Sequence, residues 1–242
     1  MDVFVAKEEH ITADSIRLEG DEHHHLSRVM RMKPGERVLI ASGAGVMYEA
    51  EIMRIDADAT ILRETMEYPD YNEPTARVIL AQGLLKNPGK MDWIVEKATE
   101  LGAAEIALLK TDHTVKKGAK VDRLQSIALA AMKQSMRCVL PVVHPPRSLE
   151  EVLDAYPGAL LISCDEQLDP TFTIEGNQGY IERAAKIVVF IGPEGGFSGD
   201  ETMMLQQRAA RFVSLGERRL RAETAALAAL ARVTALLEWK EL

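Results

Sequence analysis

The chain has 242 residues, 47% apolar and 27% charged, with a formal net charge of -8 and two cysteines. That supplies one large or two modest cores, excludes wholesale disorder, and leaves no apolar run near the ~18 residues a membrane span needs. Met1 to His10 lacks a signal-peptide pattern, so a cytoplasmic protein is expected, and Cys138 and Cys164, with no CxxC and no ligand cluster, read as two buried thiols.

Up to residue 68 the pattern is of short alternating segments: Val3 to Val5, Ser15 to Leu18, Arg37 to Ala41, Val46 to Ile55 and Thr60 to Met66. Val46, Tyr48, Ala50 and Ile52 follow a two-residue period, and Ser42-Gly-Ala-Gly45 supplies a turn, which predicts a small antiparallel barrel. One helix, Glu22 to Met30, interrupts it before the Lys33-Pro-Gly35 turn. The linker-like stretch Tyr68 to Pro74 sets the expected boundary between a domain over residues 1–70 and another over 75–242.

Beyond Pro74 strands alternate with longer helices. Strands are predicted at Arg77 to Gln82, Glu105 to Leu109, Ala159 to Ser163, Ile187 to Ile191 and Arg211 to Leu215. Asn87-Pro88 caps a helix that runs to Leu101 and stops at Gly102. Val121 to Arg137 reads as helix, Ser148 to Glu151 and Ser198 to Glu201 as capping boxes, Gly176 to Gly179 as a surface loop, and Ala222 to Trp239 as an alanine-rich closing helix. The alternation predicts an α/β domain with a mainly parallel sheet.

The negative total hides three basic islands. Residues 23–37 carry a local +3, residues 110–137 carry +5 and residues 208–221 carry +4, and local patches rather than totals decide whether a nucleic acid is bound. Solvated faces produce such islands too. His23, His24 and His25 are consecutive on a predicted helix, so their side chains diverge and no metal site is expected.

In an open parallel sheet the ligand crevice lies beyond the carboxyl ends of the strands. Two segments sit there: Phe190-Ile-Gly-Pro-Glu-Gly-Gly-Phe197, and Leu215-Gly-Glu-Arg-Arg-Leu-Arg-Ala-Glu-Thr224. Neither is a phosphate loop or a dinucleotide fingerprint. Together they resemble the signature of the RsmE family, 16S rRNA uridine N3-methyltransferases of the SPOUT superfamily. The likeness extends to His24 through Gly35, to Lys86 with Lys90 through Gly102, and to Gln134-Ser-x-Arg137 with Pro141. It departs at Asp112-His113-Thr114, where the family usually has Glu-Arg-Ser.

The resemblance implies a trefoil-knotted sheet behind a PUA-like RNA-binding barrel, S-adenosyl-L-methionine as cofactor, a homodimer, and small-subunit rRNA as substrate. Carried onto this chain, the cofactor-binding residues are Ile191, Gly192, Pro193, Glu194, Gly195, Gly196, Leu215, Gly216, Leu220, Thr224 and Ala225. Arg221 and Glu194 are the catalytic candidates. Arg221 would stabilise charge spreading onto the uracil carbonyls, or else pair with Glu217 or Glu223 on the surface. Glu194 would orient the cofactor, accept a proton, or only cap a turn. Arg28, Arg31, Lys33, Lys116, Lys117 and Lys120 are expected phosphate contacts. Two alternatives stand beside this reading: a knotted methyltransferase acting on a ribose hydroxyl, and a non-catalytic rRNA-binding assembly factor.

Overall fold

The computed structural model describes residues 2–115 and 118–238. They fall into two compact units, one of Met1–Glu73 with Met132–Leu140, the other of Pro74–Ala131 with Pro141–Leu242.

In the smaller unit, strands β1 (Val3–Val5), β2 (Ile16–Glu19), β3 (Arg37–Ala41), β4 (Val46–Ile55) and β5 (Ala59–Pro69) form a sheet of order β1-β3-β4-β5-β2. The β1–β3 pair is parallel and the other pairs are antiparallel. Phe4, Ile16, Leu18, Leu26, Ile40 and Leu62 meet in its core. The two-residue period of β4 is broken by a register shift between Glu49 and Ala50. A bulge moves the stripe by one residue, so Met47 is fully buried with Ala50 and Ile52, while Val46 and Tyr48 are only half-buried.

The helix expected over Glu22 to Met30 is a short α1 (Gly20–His24) followed by one π-helical turn, His25–Val29. The three histidines diverge: His23 is buried with Nδ1 2.8 Å from Thr60 Oγ1, His24 is exposed, and the His25 ring lies 5.9 Å from that of Phe4.

Segment 132–140 returns to this unit because of one carboxylate. Glu73 grips Arg137 through Nε and a terminal guanidinium nitrogen, and its Oε1 also accepts from the Cys138 and Val139 amides at 3.0 and 2.9 Å. Arg137 is 2% exposed. The helix predicted to reach Arg137 therefore ends three residues earlier, as α3 (Val121–Gln134), and Met136 takes a left-handed φ of 56° that turns the arginine inward.

The larger unit carries β6 (Arg77–Gly83), β7 (Ala103–Lys110), β8 (Val142–Ser148), β9 (Leu160–Cys164), β10 (Lys186–Ile191) and β11 (Arg211–Val213) in the order β11-β9-β10-β6-β7-β8, every pair parallel. Its remaining helices are α2 (Pro88–Glu100), α4 (Leu149–Ala155), α5 (Gln178–Ile181), α6 (Gly199–Gln207) and α7 (Ala222–Glu238). Local chemistry fixes their ends. The Asn87 side chain accepts from Gly89 N with Pro88 following, Gly102 has φ +88°, and both capping boxes are reciprocal.

Strand β8 was not anticipated, since it contains Pro145 and Pro146. It is an edge strand whose register against β7 shifts between His144 and Arg147, and edges and bulges are where a sheet tolerates missing amide donors. The stretch expected as a loop around Gly176 winds instead into a 3-10 turn, Glu175–Asn177, and α5. From edge strand β11 the chain crosses back, and α7 packs on α2 and the central strands β10 and β6.

Candidate cofactor cavity and its surroundings

Three neighbouring strands, β11, β9 and β10, end on the same side of the sheet, and the loops that leave them enclose a cavity of about 850 Å³. It lies at the carboxyl ends of parallel strands, where such folds place ligands, and its size suits a small-molecule site.

Ile191, Gly192, Pro193, Glu194, Gly195 and Gly196 line it from the β10 loop. Leu215, Gly216, Leu220, Arg221 and Ala225 line it from the segment that leads from β11 into α7. Thr224 is exposed on the first turn of α7 and is not among the lining residues.

The third wall escaped sequence reasoning. It is Ser163 through Gln167, the end of β9 and the turn that follows it, joined by Lys90 from α2. Ser163 to Gln167 has no glycine to mark it, and only strand order places it beside the other two loops. Cys164, expected buried, is only partly buried in this wall, yet its thiol is desolvated enough to be pushed up to about 12.

Close backbone approach builds the β10 loop. A Cβ on Gly83, at the end of β6, would sit 2.4 Å from Pro193 N. Gly195 lines the cavity, and a Cβ there would meet the His113 side chain at 3.0 Å. Glu194 Oε1 accepts from Lys86 N at 3.1 Å, tying the loop to the segment that follows β6.

Two buried side-chain oxygens in the cavity wall lack a partner among the described residues, Ser163 Oγ and Glu223 Oε2. The other Glu223 oxygen binds Lys90 Nζ at 2.7 Å. Burial pushes this carboxyl up, but the Lys90 hydrogen bond and the helix amide outweigh it, and the group is held below the usual carboxylate range. Orphaned buried acceptors are costly unless a ligand donates to them. With apolar Phe197, Phe212 and Leu220 alongside, the wall fits an adenosyl cofactor, whose hydroxyl and ammonium groups can donate to those two oxygens.

Arg221 is exposed and makes no ion pair among the described residues, Lys90 having taken Glu223. Of the other arginines in residues 208–221, Arg208 pairs with Asp154 and Arg219 with Glu166, while Arg211 stacks 3.3 Å over the Tyr180 ring.

Beside the cavity lies an open depression of about 500 Å³, lined by Lys86, Asp112, His113 and Val115 and sharing Glu194 and Gly195 with it. Of the expected phosphate contacts, Arg28, Arg31 and Lys33 are exposed around the π-helical turn and make no ion pair among the described residues. Lys120 is exposed just before α3, and Lys116 and Lys117 lie outside the described residues.

Family models agree with this architecture. An RNA methyltransferase domain matches residues 72–234 and an RNA methyltransferase PUA domain matches residues 18–64. A Synechocystis protein described as ribosomal RNA small subunit methyltransferase E is 32% identical over 241 residues, 97% of this chain and 77% of that protein. The chain belongs to the ribosomal RNA small subunit methyltransferase E family.

A Bacillus subtilis member is 28% identical, over 92% of this chain and 90% of its own. The crystal structure of the Neisseria gonorrhoeae member bound to S-adenosyl methionine has a TM-score of 0.84 at 26% identity, covering 98% of both chains. The fold is thus the SPOUT-type knotted α/β sheet with a PUA-like sheet domain that the sequence motifs imply. Among the described residues no helix is long and apolar enough to cross a membrane.

Proposed function

We propose that this protein transfers a methyl group from S-adenosyl-L-methionine to N3 of a uridine in 16S rRNA. What carries the reading is the cavity at the ends of β9, β10 and β11, whose wall leaves Ser163 Oγ and Glu223 Oε2 as acceptors beside the glycine backbone of Ile191 to Gly196. The gonorrhoeal relative binds that cofactor.

When bound, the cofactor supplies an electrophilic sulfonium methyl. The chain must bring an unpaired uracil to it in line, and holding two reactants so can remove ~7 to 11 kcal/mol of entropic barrier. N3 is on the pairing edge, so the base has to be extruded first. Arg221 stabilises the uracil as it becomes anionic, a role supported by its exposure in the cavity lining without an ion pair among the described residues. Glu194 acts as an orienting residue, a role supported by its hydrogen bond to Lys86 N.

The smaller unit, matched by the PUA model, supplies RNA contacts through Arg28, Arg31 and Lys33. Lys116, Lys117 and Lys120, in the sequence of the larger unit, are further proposed RNA contacts. An rRNA substrate puts the work in the cytoplasm, and a homodimer is part of the same reading, checked by light scattering. The deciding experiment incubates the protein with labelled cofactor and small subunits that lack the modification, then identifies the labelled nucleoside. N3-methyluridine is expected; a ribose-methylated nucleoside, or no product at all, overturns the reading.

A further inference from the structure

Removing the N3 proton needs an acceptor, and the depression beside the cavity holds one. His113 Nδ1 lies 3.1 Å from Gly196 O. A carbonyl oxygen can only accept, so Nδ1 carries the hydrogen, and in the neutral ring Nε2 is left with its lone pair. Among the described residues Nε2 has no partner, and His113 is exposed in a depression that shares Glu194 and Gly195 with the cofactor cavity.

The ring is also held in place. Its loop is pinned to the start of α6: Asp112 N donates to Glu201 Oε1 at 3.0 Å, and Asp112 Oδ2 accepts from Ser198 Oγ at 2.6 Å. Thr111 N donates to Thr114 Oγ1 at 3.0 Å, and His113 packs against Gly195, where an added Cβ would come within 3.0 Å of the His113 Cβ and 3.2 Å of its ring Cγ. A base fixed on two sides is preorganised rather than recruited.

We propose that His113 is the general base of this enzyme and that the depression it lines receives the target uracil, an inference that rests on the function proposed above. Nε2 takes the N3 proton. The N3 electron pair forms the new bond to the methyl carbon as the carbon–sulfur bond breaks, its electron pair staying on sulfur, and the imidazolium then returns the proton to water. Lys86, after β6, Asp112, on the same loop, and Glu194, in the β10 loop, are the charged groups that line the depression with His113. Lys86 is the one whose sign suits an anionic uracil.

The test uses single-turnover methylation of small subunits by the wild type and His113→Gln, a change that keeps a donor for Gly196 O but cannot take the proton. A loss of 100-fold or more is expected, with calorimetric cofactor affinity within twofold. The wild-type rate should climb with pH until the imidazole is neutral, and the variant should lack that limb. Independently of turnover, the His113 Cε1–H resonance should shift on adding uridine-containing RNA without cofactor, and stay put with RNA bearing N3-methyluridine. A variant rate within threefold of wild type with an unchanged pH profile, or equal shifts with both RNAs, overturns the assignment alone. A wild type that makes no N3-methyluridine overturns the functional reading with it.

Discussion

Gly83 is the residue on which the cofactor loop depends most directly, and nothing around it in the sequence marks it. Its role appears only because Pro193 crosses within 2.4 Å of where a Cβ would be, and the obstacle is backbone, which cannot rotate aside. Gly83→Ala should cost about 1 to 3 kcal/mol of stability by overpacking, and calorimetry should show cofactor affinity falling as the loop is displaced. Unchanged affinity would mean that the loop can shift without harm.

Arg221 is the opposite case, singled out from sequence and exposed in the structure at the cavity. Arg221→Ala should slow single-turnover methylation on the order of 100-fold to 1,000-fold with cofactor binding intact. Lysine should rescue poorly, since it lacks the planar fork.

Away from the site, Glu105 accepts from Arg77 Nε at 2.8 Å and Tyr156 OH at 2.8 Å and lies 2.6 Å from His144 Nε2. Burial opposes its charge, but His144, Arg77 and Tyr156 together hold its carboxyl down to about 2. A depressed carboxylate stabilises the fold above its unfolded value and loses that contribution as pH falls through its folded one. The window is therefore from about 4.5 down to about 2, and the contribution on the order of 3 kcal/mol at most. Urea unfolding of Glu105→Gln should show a weaker pH dependence across this window than the wild type; identical curves would assign the acid sensitivity elsewhere.

At the scale of elements, much was legible because local chemistry decided it. Asn87-Pro88, Gly102 and the two capping boxes place helix ends through neighbours three residues away or fewer, and the structure has each of them. What failed to show depends on distant partners. β8 forms despite Pro145 and Pro146 because β7 offers it an edge, and the wall at the end of β9 belongs to the cavity only through strand order. The helix N-terminal to Arg31 becomes part π-helix with no signal in its composition.

The two capping boxes also differ in reach. Ser198 holds Glu201 and, through its hydroxyl, Asp112 beside His113, whereas Ser148 closes its box with Glu151 on α4. Ser148→Ala and Ser198→Ala should each cost about 1 kcal/mol, read as a drop in Tm. Only Ser198→Ala should also lower the methylation rate. Equal rates in both would detach the α6 cap from the site.

Across the whole molecule, the basic islands counted in the sequence shrink once partners are known. In residues 110–137, Arg123 pairs with Asp92, Lys133 with Glu22 and Arg137 with Glu73, none of which sequence spacing foretells. The 23–37 island survives better, losing only Arg37 to Glu49. Replacing Arg28 and Lys33 together with alanine should weaken RNA binding and reduce the slope of log affinity against log salt by about 2. An unchanged slope would return them to ordinary solvated positions.

The Glu73 carboxylate bears on how the protein is made. Its guanidinium and two of its amide donors arrive 64 to 66 residues later in the chain. Domains usually fold in order as they leave the ribosome, but the amino-terminal unit lacks its last segment until Leu140 has been synthesised. A nascent chain stalled after Glu73 should therefore resist compaction, and one stalled with Leu140 outside the exit tunnel should become protease-resistant in its first 73 residues. Synthesis and folding are thus out of step here: more than half the polypeptide must emerge before its beginning is complete.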